Sequence, residues 1–227
     1  MKEFRGIGAS VGNAEGVLMF FEALNGSADK SFVEDPIVEI ERLRLAEHYA
    51  KLELEQVYAK ALTLMSAEYA DIFKAHIMLL ESPDFFGAIE KMVKEQKLSA
   101  EYAVEVVAKK LSDTLKNGEM LSPIDDIKDV SECLLRNLRN EDFNRIATTE
   151  SIIICADELV PSQVLEFHKS NIVGFCLIGN KHSSHVPIIA KALGIPAIIG
   201  LERPCVGCFG KNACIDGQAG ILTVDEN

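Results

Sequence analysis

The fold can be argued from one stretch of the 227-residue chain, Gly174-Phe-Cys-Leu-Ile-Gly-Asn-Lys-His-Ser-Ser-His-Val-Pro-Ile-Ile-Ala-Lys-Ala-Leu-Gly-Ile-Pro-Ala197. The apolar run that ends at Ile178 predicts a buried strand, and the polar residues after it predict a loop. Residues 184–193 have the apolar spacing of a helix, and the run 196–200 predicts another strand. Strand, helix and strand in this order indicate a parallel pair of strands in an α/β layer.

Two other parts of the chain supply strands that can join this layer. Residues 151–156 form a continuous apolar run of strand length. The first 34 residues contain the apolar run Gly16-Val-Leu-Met-Phe-Phe21, from which we predict one or two short strands. An α/β subdomain is therefore predicted over residues 1–34 and 141–227.

A helical subdomain is predicted between these segments, over residues 35–140. From Pro36 to Arg139 glycine is nearly absent and apolar residues recur at spacings of three and four, which is typical of a bundle of four or five helices. Asp35-Pro36 provides an N-cap followed by proline at the first helical position. Ser82-Pro83 and Ser122-Pro123 mark two further helix starts.

The composition excludes several classes of protein. Hydrophobic residues make up 48% of the chain, which is enough for a packed core and excludes a disordered chain. A net charge of −12 repels phosphate backbones, so we expect a basic protein partner rather than nucleic acid. We expect a cytoplasmic protein without membrane insertion, because no apolar run could span a bilayer and no signal-peptide core follows Met1.

The start of the helix predicted from Ser184 is the strongest candidate for chemistry. His185 would lie in its first turn, where free backbone N–H groups and the helix dipole favour an anion. A neutral imidazole is also a competent nucleophile toward phosphorus. The residue pattern alone leaves two interpretations open, a histidine that carries a phosphoryl group or a polar turn that caps the helix.

The stretch resembles the phosphohistidine signature of enzymes that use phosphoenolpyruvate, Gly-Gly-x-Thr-Ser-His-x-x-Ile-x-Ala-Arg-x-Leu-Gly-Ile-Pro-Ala. The residues that match in register are Ser184-His185, Ile188, Ala190, Lys191, Leu193-Gly-Ile-Pro-Ala197 and Gly200. Ala156-Asp-Glu-Leu-Val-Pro-Ser162 resembles the family's Asp-Leu-Thr-Pro-Ser element. Two more stretches, Gly6-Ile-Gly-Ala-Ser-Val-Gly-Asn-Ala-Glu-Gly16 and Asp71-Ile-Phe-Lys-Ala-His-Ile-Met-Leu-Leu-Glu-Ser-Pro-Asp84, are similar to enzyme I of the bacterial phosphotransferase system.

This resemblance covers nearly the whole chain and implies a fold and a function. The fold is an α/β swivelling phosphohistidine domain, with β/α/β layers and an inserted all-helical HPr-binding bundle. The function is that of the N-terminal part of a phosphoenolpyruvate-protein phosphotransferase. His185 is then the catalytic residue, which carries a phosphoryl group and exchanges it with a histidine of an HPr-like phosphocarrier protein.

The resemblance also implies what this chain would need from elsewhere. In the family, a C-terminal barrel binds phosphoenolpyruvate, Mg²⁺ and the second subunit, and that barrel is not part of this sequence. We therefore expect no cofactor in this chain, Mg²⁺ only with the C-terminal domain, and a monomer for the isolated chain.

Four residues around His185 are implied to support the phosphate. Ser183 and Ser184 can donate hydrogen bonds, and Lys181 and Lys191 can neutralise charge, with Lys191 at the position of the family's arginine.

The chain departs from the family pattern at three places. Asn180 and Lys181 stand where the family has paired glycines. Val160 replaces the threonine that is placed to hydrogen-bond the active histidine. In the bundle, Pro123 replaces an arginine.

Acidic and apolar residues on the first helices after Met65 are candidates for binding the partner. The set is Glu68, Asp71, Ile72, His76, Leu79, Glu81 and Asp84. The acidic pairs are spaced by three and share helix faces, so they are either a solvated surface or a docking patch for a basic partner. His76 is either a partly buried packing residue or a contact in the partner groove.

Two alternative functions remain open from the sequence. One is a zinc site at Cys205, Cys208 and Cys214. A closed zinc site needs four ligands, and His182 and His185 could supply two of them. The other alternative is a non-catalytic, degenerate phosphohistidine domain that acts as a protein-binding or regulatory module. By contrast, Cys155 and Cys176 lie in apolar runs and are predicted to be core residues.

Overall fold

The computed structural model describes residues 1–21, 28–117, 122–140, 149–167, 171–179 and 185–226. The chain divides into two compact units. The first, here called the α/β unit, comprises Met1–Asn25 and Arg145–Asn227, and the second, the helical unit, comprises Gly26–Asn144. The divisions predicted from the sequence lie nearby, after residues 34 and 140.

The described residues form strands β1 (Lys2–Arg5), β2 (Ile7–Ser10), β3 (Asn13–Phe21), β4 (Ile152–Ala156), β5 (Ile172–Ile178), β6 (Ala197–Leu201), β7 (Asn212–Asp216) and β8 (Ile221–Val224). The helices are α1 (Pro36–Leu64), α2 (Ala67–Leu80), α3 (Ala88–Gln96), α4 (Ala100–Asn117), α5 (Ser122–Arg139), α6 (Pro161–Phe167) and α7 (Val186–Ala192). A π-helical turn over Pro83–Gly87 leads into α3, and a 3₁₀ turn over Val206–Cys208 precedes β7. Of the helices in these ranges, none combines the length and the apolar character that a bilayer crossing requires.

The strands of the described residues form one mixed sheet in the order β1-β8-β7-β3-β4-β5-β6-β2. The central strands β3, β4, β5 and β6 pair in parallel, and the remaining pairs are antiparallel. The predicted parallel pair is therefore confirmed as β5 and β6, with α7 between them in the chain. The α/β fold class predicted from the sequence is confirmed as well.

The N-terminal prediction of one or two strands was wrong, because this segment forms three. Gly12 turns the chain with a φ of 134°, a conformation that residues with a side chain rarely adopt. The turn directs the neighbouring strands to separate places in the sheet, so β2 pairs with β6 whereas β3 pairs with β4 and β7. β1 pairs with β8 at the opposite edge from β2.

Within its described residues the helical unit contains α1 to α5, in agreement with the prediction of four or five helices. Asp35 caps α1 as expected, since its side chain accepts a hydrogen bond of 2.8 Å from the Ile37 N–H. Ser82 likewise accepts from the Phe85 N–H at 3.1 Å, but the turn that follows is π-helical rather than α-helical. This wider turn places the Phe85 ring in the core with no exposed surface.

An ion cluster around Arg42 joins three helices of this unit. The guanidinium of Arg42 forms paired hydrogen bonds to the carboxylates of Glu39 on α1 and Glu101 on α4. It also donates to the Leu138 carbonyl on α5 at 3.0 Å. The Glu39 carboxylate accepts a further bond of 2.7 Å from the Ala100 N–H at the start of α4. Paired arginine–carboxylate bonds of this kind fix orientation as well as supplying energy.

The α/β unit is expected to require glycine at position 217, where two backbone segments approach each other closely. A Cβ on Gly217 would overlap the carbonyl oxygen of Ser10, and it would lie 3.1 Å from the Ala197 nitrogen. The Gly217 N–H also donates to the Gly12 carbonyl at 2.8 Å, which holds this close approach in place. Gly217→Ala should lower the free energy of unfolding in urea by about 2 kcal/mol or more. Gly207→Ala is the matched control, because no atom lies within 4 Å of the added carbon there.

Candidate functional site

His185 lies immediately before the first residue of α7. Its backbone is helical (φ −99°, ψ −36°), and its carbonyl accepts the Ile189 N–H at 3.0 Å. The helix therefore begins at Val186, two residues after Ser184, near which the sequence predicts its start, and His185 is its N-cap rather than a residue of its first turn. Pro187 accounts for the difference, because proline has no N–H to donate and is accommodated only in the first turn of a helix.

The His185 side chain is half-buried, and its Nδ1 atom is buried. The helix behind it is anchored by three buried apolar residues, Val186, Ile189 and Ala190, and packs against β2 and β6. A histidine at the end of such an anchored element has restricted freedom to move, which favours a reaction that depends on position.

Of the predicted phosphate-binding residues, Lys191 lies in the described part of the chain. Lys191 lies in the last turn of α7 with its side chain exposed. Its Cα lies about 9 Å along the helix axis from that of His185, at 1.5 Å per residue, and helical side chains lean toward the N-terminus. The remaining members of the set, Lys181, Ser183 and Ser184, lie outside the described residues, as does Asn180.

Helix α6, which the sequence analysis missed, packs against α7. Val160, 4% exposed, precedes it and donates its N–H to the Gln163 side chain at 3.0 Å. Ser162 and Gln163 are buried polar residues on this helix. The signal that could have revealed α6 is Pro161, which occupies the first helical position.

The predicted partner-binding residues of α2 lie mostly on one exposed stripe. Glu68 and Asp71 are exposed, and Ile72 and Leu79 are partly exposed beside them. Met78 lies on the same face with 65% of its surface exposed, although the sequence analysis did not select it. Exposed methionine is common in protein-binding surfaces because its side chain adapts to different shapes.

Two further members of that set lie beyond the end of α2. Glu81 is exposed but forms an ion pair with Lys51 of α1, and Asp84 is exposed in the first turn of the π-helical segment. The Pro123 side chain lies outside the described part of the chain.

His76 does not belong to this surface, because none of it is exposed. The prediction of a direct partner contact was therefore wrong, and so was that of only partial burial. Position 76 faces α5 rather than solvent, and its Nε2 lies 3.0 Å from an Asp126 oxygen while Nδ1 lies 3.3 Å from an Asp129 oxygen. The Phe73 ring packs edge-on against the imidazole at 5.7 Å.

The two aspartates favour the charged form of the buried His76 imidazole. Burial has the largest single effect and by itself lowers the pKa of His76, but the hydrogen bond to Asp126 and the negative charges of Asp129 and Asp126 together raise the pKa above its usual value. A buried charge is tolerated when it is paired in this way.

The cysteines of the sheet divide into core and surface residues. Cys155 and Cys176 are completely buried, which confirms their prediction as core residues, and burial raises the pKa of Cys155 to about 12. The zinc alternative gains no support, because no group of three His, Cys, Asp or Glu in the described ranges is arranged to hold a metal. Cys214 points to the opposite face of β7 from its neighbours Ala213 and Ile215, which pack in the same core as Cys208.

Two family models match the chain. One, described as PEP-utilising enzyme, N-terminal, matches residues 5–120, and the other, PEP-utilising enzyme, mobile domain, matches residues 148–220. The chain belongs to the PEP-utilising enzymes. The resemblance drawn from the His185 stretch is thereby confirmed.

The curated relatives point to one member of this family. Proteins named phosphoenolpyruvate-protein phosphotransferase from Bacillus subtilis, Geobacillus stearothermophilus and Latilactobacillus sakei are 28%, 31% and 33% identical to this chain. Each alignment covers 99% of this chain and 40% of the relative. This chain thus spans about 40% of the length of the relatives it matches.

Two solved structures share the fold of this chain. An NMR solution structure titled Enzyme I is 27% identical and superimposes with a TM-score of 0.78 over 99% of this chain and 93% of that one. A structure of the N-terminal domain of Enzyme 1 - Nitrogen, 24% identical with a TM-score of 0.69, shares the fold.

Replacing His76 is expected to destabilise this chain in a pH-dependent way. The side chain of Asp129 is only 1% exposed. His76→Ala would therefore leave this buried carboxylate without the imidazole that pairs with it. Loss of one partner of a buried ion pair typically costs about 3–5 kcal/mol, measured here as the free energy of unfolding in urea.

The pH dependence separates the charge of His76 from its packing. Because the pKa of His76 is raised in the folded protein, its stabilising contribution is complete below about pH 6.5, the pKa in the unfolded chain, and is lost as pH rises through the folded pKa. His76→Gln should remove this part of the pH dependence, while the exposed His48→Gln should leave it unchanged. An unaltered pH profile in His76→Gln would show that the imidazole is buried uncharged.

Proposed function

We propose that this chain is the phosphohistidine part of a phosphoenolpyruvate-protein phosphotransferase, which accepts a phosphoryl group on His185 and exchanges it with a histidine of an HPr-like carrier protein. The observation that carries the proposal is the place of His185. It stands at the point where α7 begins after the parallel strand β5, in a fold that matches the Enzyme I structure along 99% of the chain. Loops and helix starts at the ends of parallel strands are where α/β proteins place their reactive groups.

The burial of Nδ1 supports Nε2 as the reacting nitrogen of His185. In the proposed step, the Nε2 lone pair attacks the phosphorus of the carrier's phosphohistidine. An N–P bond forms on His185 while the N–P bond on the carrier breaks, and the carrier imidazole leaves with that electron pair. The proton on the Nδ1 atom of His185 stays in place, and a proton on the other ring nitrogen of the carrier's phosphohistidine lets that imidazole leave as a neutral group, so the exchange requires no proton transfer between the two rings.

Charge stabilisation is assigned to the lysines. Transfer of this kind depends mainly on positioning and on neutralising the charge of the phosphoryl oxygens. Lys191 is exposed on α7 and can lean toward His185, so we assign it to the phosphoryl oxygens. We assign the same role to Lys181, and hydrogen bonds to Ser183 and Ser184.

The exposed stripe of α2 is the proposed docking surface for the carrier. Acidic Glu68 and Asp71 flank the apolar Ile72, Met78 and Leu79. An apolar patch with acidic residues at its border fits a partner that presents basic residues around an apolar centre. The net charge of −12 attracts such a partner over longer distances.

Phosphoenolpyruvate is proposed to act through a separate C-terminal domain, together with Mg²⁺. The relatives are long enough to contain one, because this chain accounts for 40% of their length. Exchange between this chain and the phosphorylated carrier should therefore proceed in the presence of a metal chelator.

Intact-mass spectrometry after mixing the chain with phosphorylated HPr tests the transfer directly. We expect the gain of one phosphoryl group that is acid-labile and base-stable, with or without chelator. His185→Ala should gain none, and the exposed His48→Gln should behave as the original chain. If the original chain binds the carrier but gains no phosphoryl group, transfer is excluded, and the non-catalytic binding module becomes the better description.

Lys191 is tested by the rate of the same reaction. Lys191→Ala should slow transfer about tenfold, equivalent to about 1.4 kcal/mol of lost charge stabilisation, and Lys191→Arg should largely restore it. Equal rates in all three proteins would remove Lys191 from the phosphate site.

The docking surface is tested by reversing its charge. The double substitution Glu68→Lys and Asp71→Lys should weaken carrier binding about tenfold at low salt, measured by calorimetry, and make it less sensitive to salt. Glu95→Lys at the exposed end of α3 is the matched control, which should leave affinity nearly unchanged. Equal losses in both proteins would indicate a general effect of net charge, and the α2 stripe would not be the docking site.

A further inference from the structure

Cys205 and Cys208 form a pair that the proposed phosphoryl transfer does not use. Their Sγ atoms lie 3.0 Å apart at the two ends of the 3₁₀ turn between β6 and β7. Both thiols are free in this structure. A disulfide bond is about 2 Å long, so its formation would require the sulfurs to approach by only about 1 Å.

The turn holds the two cysteines in this arrangement. The Cys208 N–H donates to the Cys205 carbonyl at 2.8 Å across the turn. Just after it, the Gly210 N–H donates to the Leu18 carbonyl at 2.8 Å, and the Leu18 N–H donates to the Lys211 carbonyl at 2.8 Å. These bonds fasten the turn to β3, so the pair is positioned before any reaction occurs.

The two thiols differ in access. Cys205 is exposed, whereas Cys208 is 3% exposed and packs in the core of the sheet with residues such as Leu18 and Ile215. An exposed sulfur can form a mixed disulfide with a substrate. The buried neighbouring sulfur can then attack the exposed one and release the substrate thiolate. Reactive dithiol pairs divide the two roles in this way.

The charges around the pair favour the thiolate of Cys205. The Lys2 ammonium lies 3.7 Å from the Cys205 Sγ. The hydrogen bond from Cys208 and, after it, the charge of Lys2 lower the pKa of Cys205, although partial burial opposes them. Burial, together with the neighbouring Cys205 sulfur, raises the pKa of Cys208.

A metal site explains this pair less well. Closed zinc sites use four ligands, and Cys214 points to the other face of β7. Among the described residues, no third ligand joins the two cysteines.

We propose that Cys205 and Cys208 form a redox-active dithiol that reacts reversibly with low-molecular-weight disulfides. The Cys205 thiolate attacks one sulfur of the disulfide, forms a mixed disulfide, and releases one small thiolate. The Cys208 thiol then loses its proton to solvent and its sulfur attacks the Cys205 sulfur, which releases the second thiolate. Two protein thiols are oxidised to one disulfide, and one small disulfide is reduced to two thiols.

Titration of the full chain with oxidised glutathione tests the proposal. Under native conditions we expect a loss of two hydrogen atoms by intact mass and one cross-linked peptide that joins Cys205 to Cys208. Added reduced glutathione should reverse the change. Cys208→Ser should stop at one glutathione attached to Cys205, and Cys205→Ser should react at least about tenfold more slowly, since its remaining thiol is buried.

Matched variants separate this pair from general thiol chemistry. Cys214→Ser removes a partly exposed cysteine on the other face of β7 and should form the same cross-link. Lys2→Gln should slow the first step several-fold at neutral pH, whereas Arg5→Gln, exposed on the same strand, should not. Circular dichroism checks that each variant is folded.

Three results would overturn the proposal. One is a cross-link that forms only after denaturation, and another is a native chain that stops at the mixed disulfide as Cys208→Ser does. The third is stoichiometric zinc binding that is lost in both Cys205→Ser and Cys208→Ser and blocks the reaction with glutathione. That result would assign the pair to a metal instead.

Discussion

The parallel pairing of β3 with β4 is the contact on which the α/β unit depends. Val17–Phe21 pair in register with Ile152–Ala156, although the whole helical unit lies between them in the chain. Loop-closure entropy grows only with the logarithm of length, so an insertion of this size can be accommodated once the strands pair well. All five residues of β4 are buried, as is typical of a parallel strand covered on both faces. Pairing then extends to β5, which leads the chain toward His185.

The helical unit combines an apolar core with buried and partly buried charged groups that fix its arrangement. His76 lies between two aspartates of α5, and Arg42 connects α1, α4 and α5. Such groups lose hydration when they are buried, so they are stable only with their partners in place. The pairing therefore favours one arrangement of these helices over others that bury similar apolar area. In this arrangement α2 turns His76 inward and leaves Glu68, Asp71 and Met78 exposed.

The two residues proposed as nucleophiles lie in segments that follow strands of the sheet. His185 stands before α7, and Cys205 stands at the start of the turn that follows β6. Both depend on rigid elements behind them, α7 for the histidine and the bonds to β3 for the cysteine pair. Loops on a rigid scaffold can vary in chemistry without changing the fold, which is why a sheet of this kind can support a second reactive group.

The sequence by itself determined the fold class, the helical insertion and the presence of His185 near the start of a helix, because these depend on local periodicity and on a motif of adjacent residues. The end of strand β5 at Ile178 was predicted as observed, and so was the capping role of Asp35. Contacts between residues distant in sequence could not be predicted in the same way. The burial of His76 depends on α5, some fifty residues later, and the approach of Lys2 to Cys205 spans 203 residues. Local sequence patterns do not predict contacts between residues so far apart in the chain. Only the tertiary structure therefore decided which polar residues are buried with partners and which are exposed.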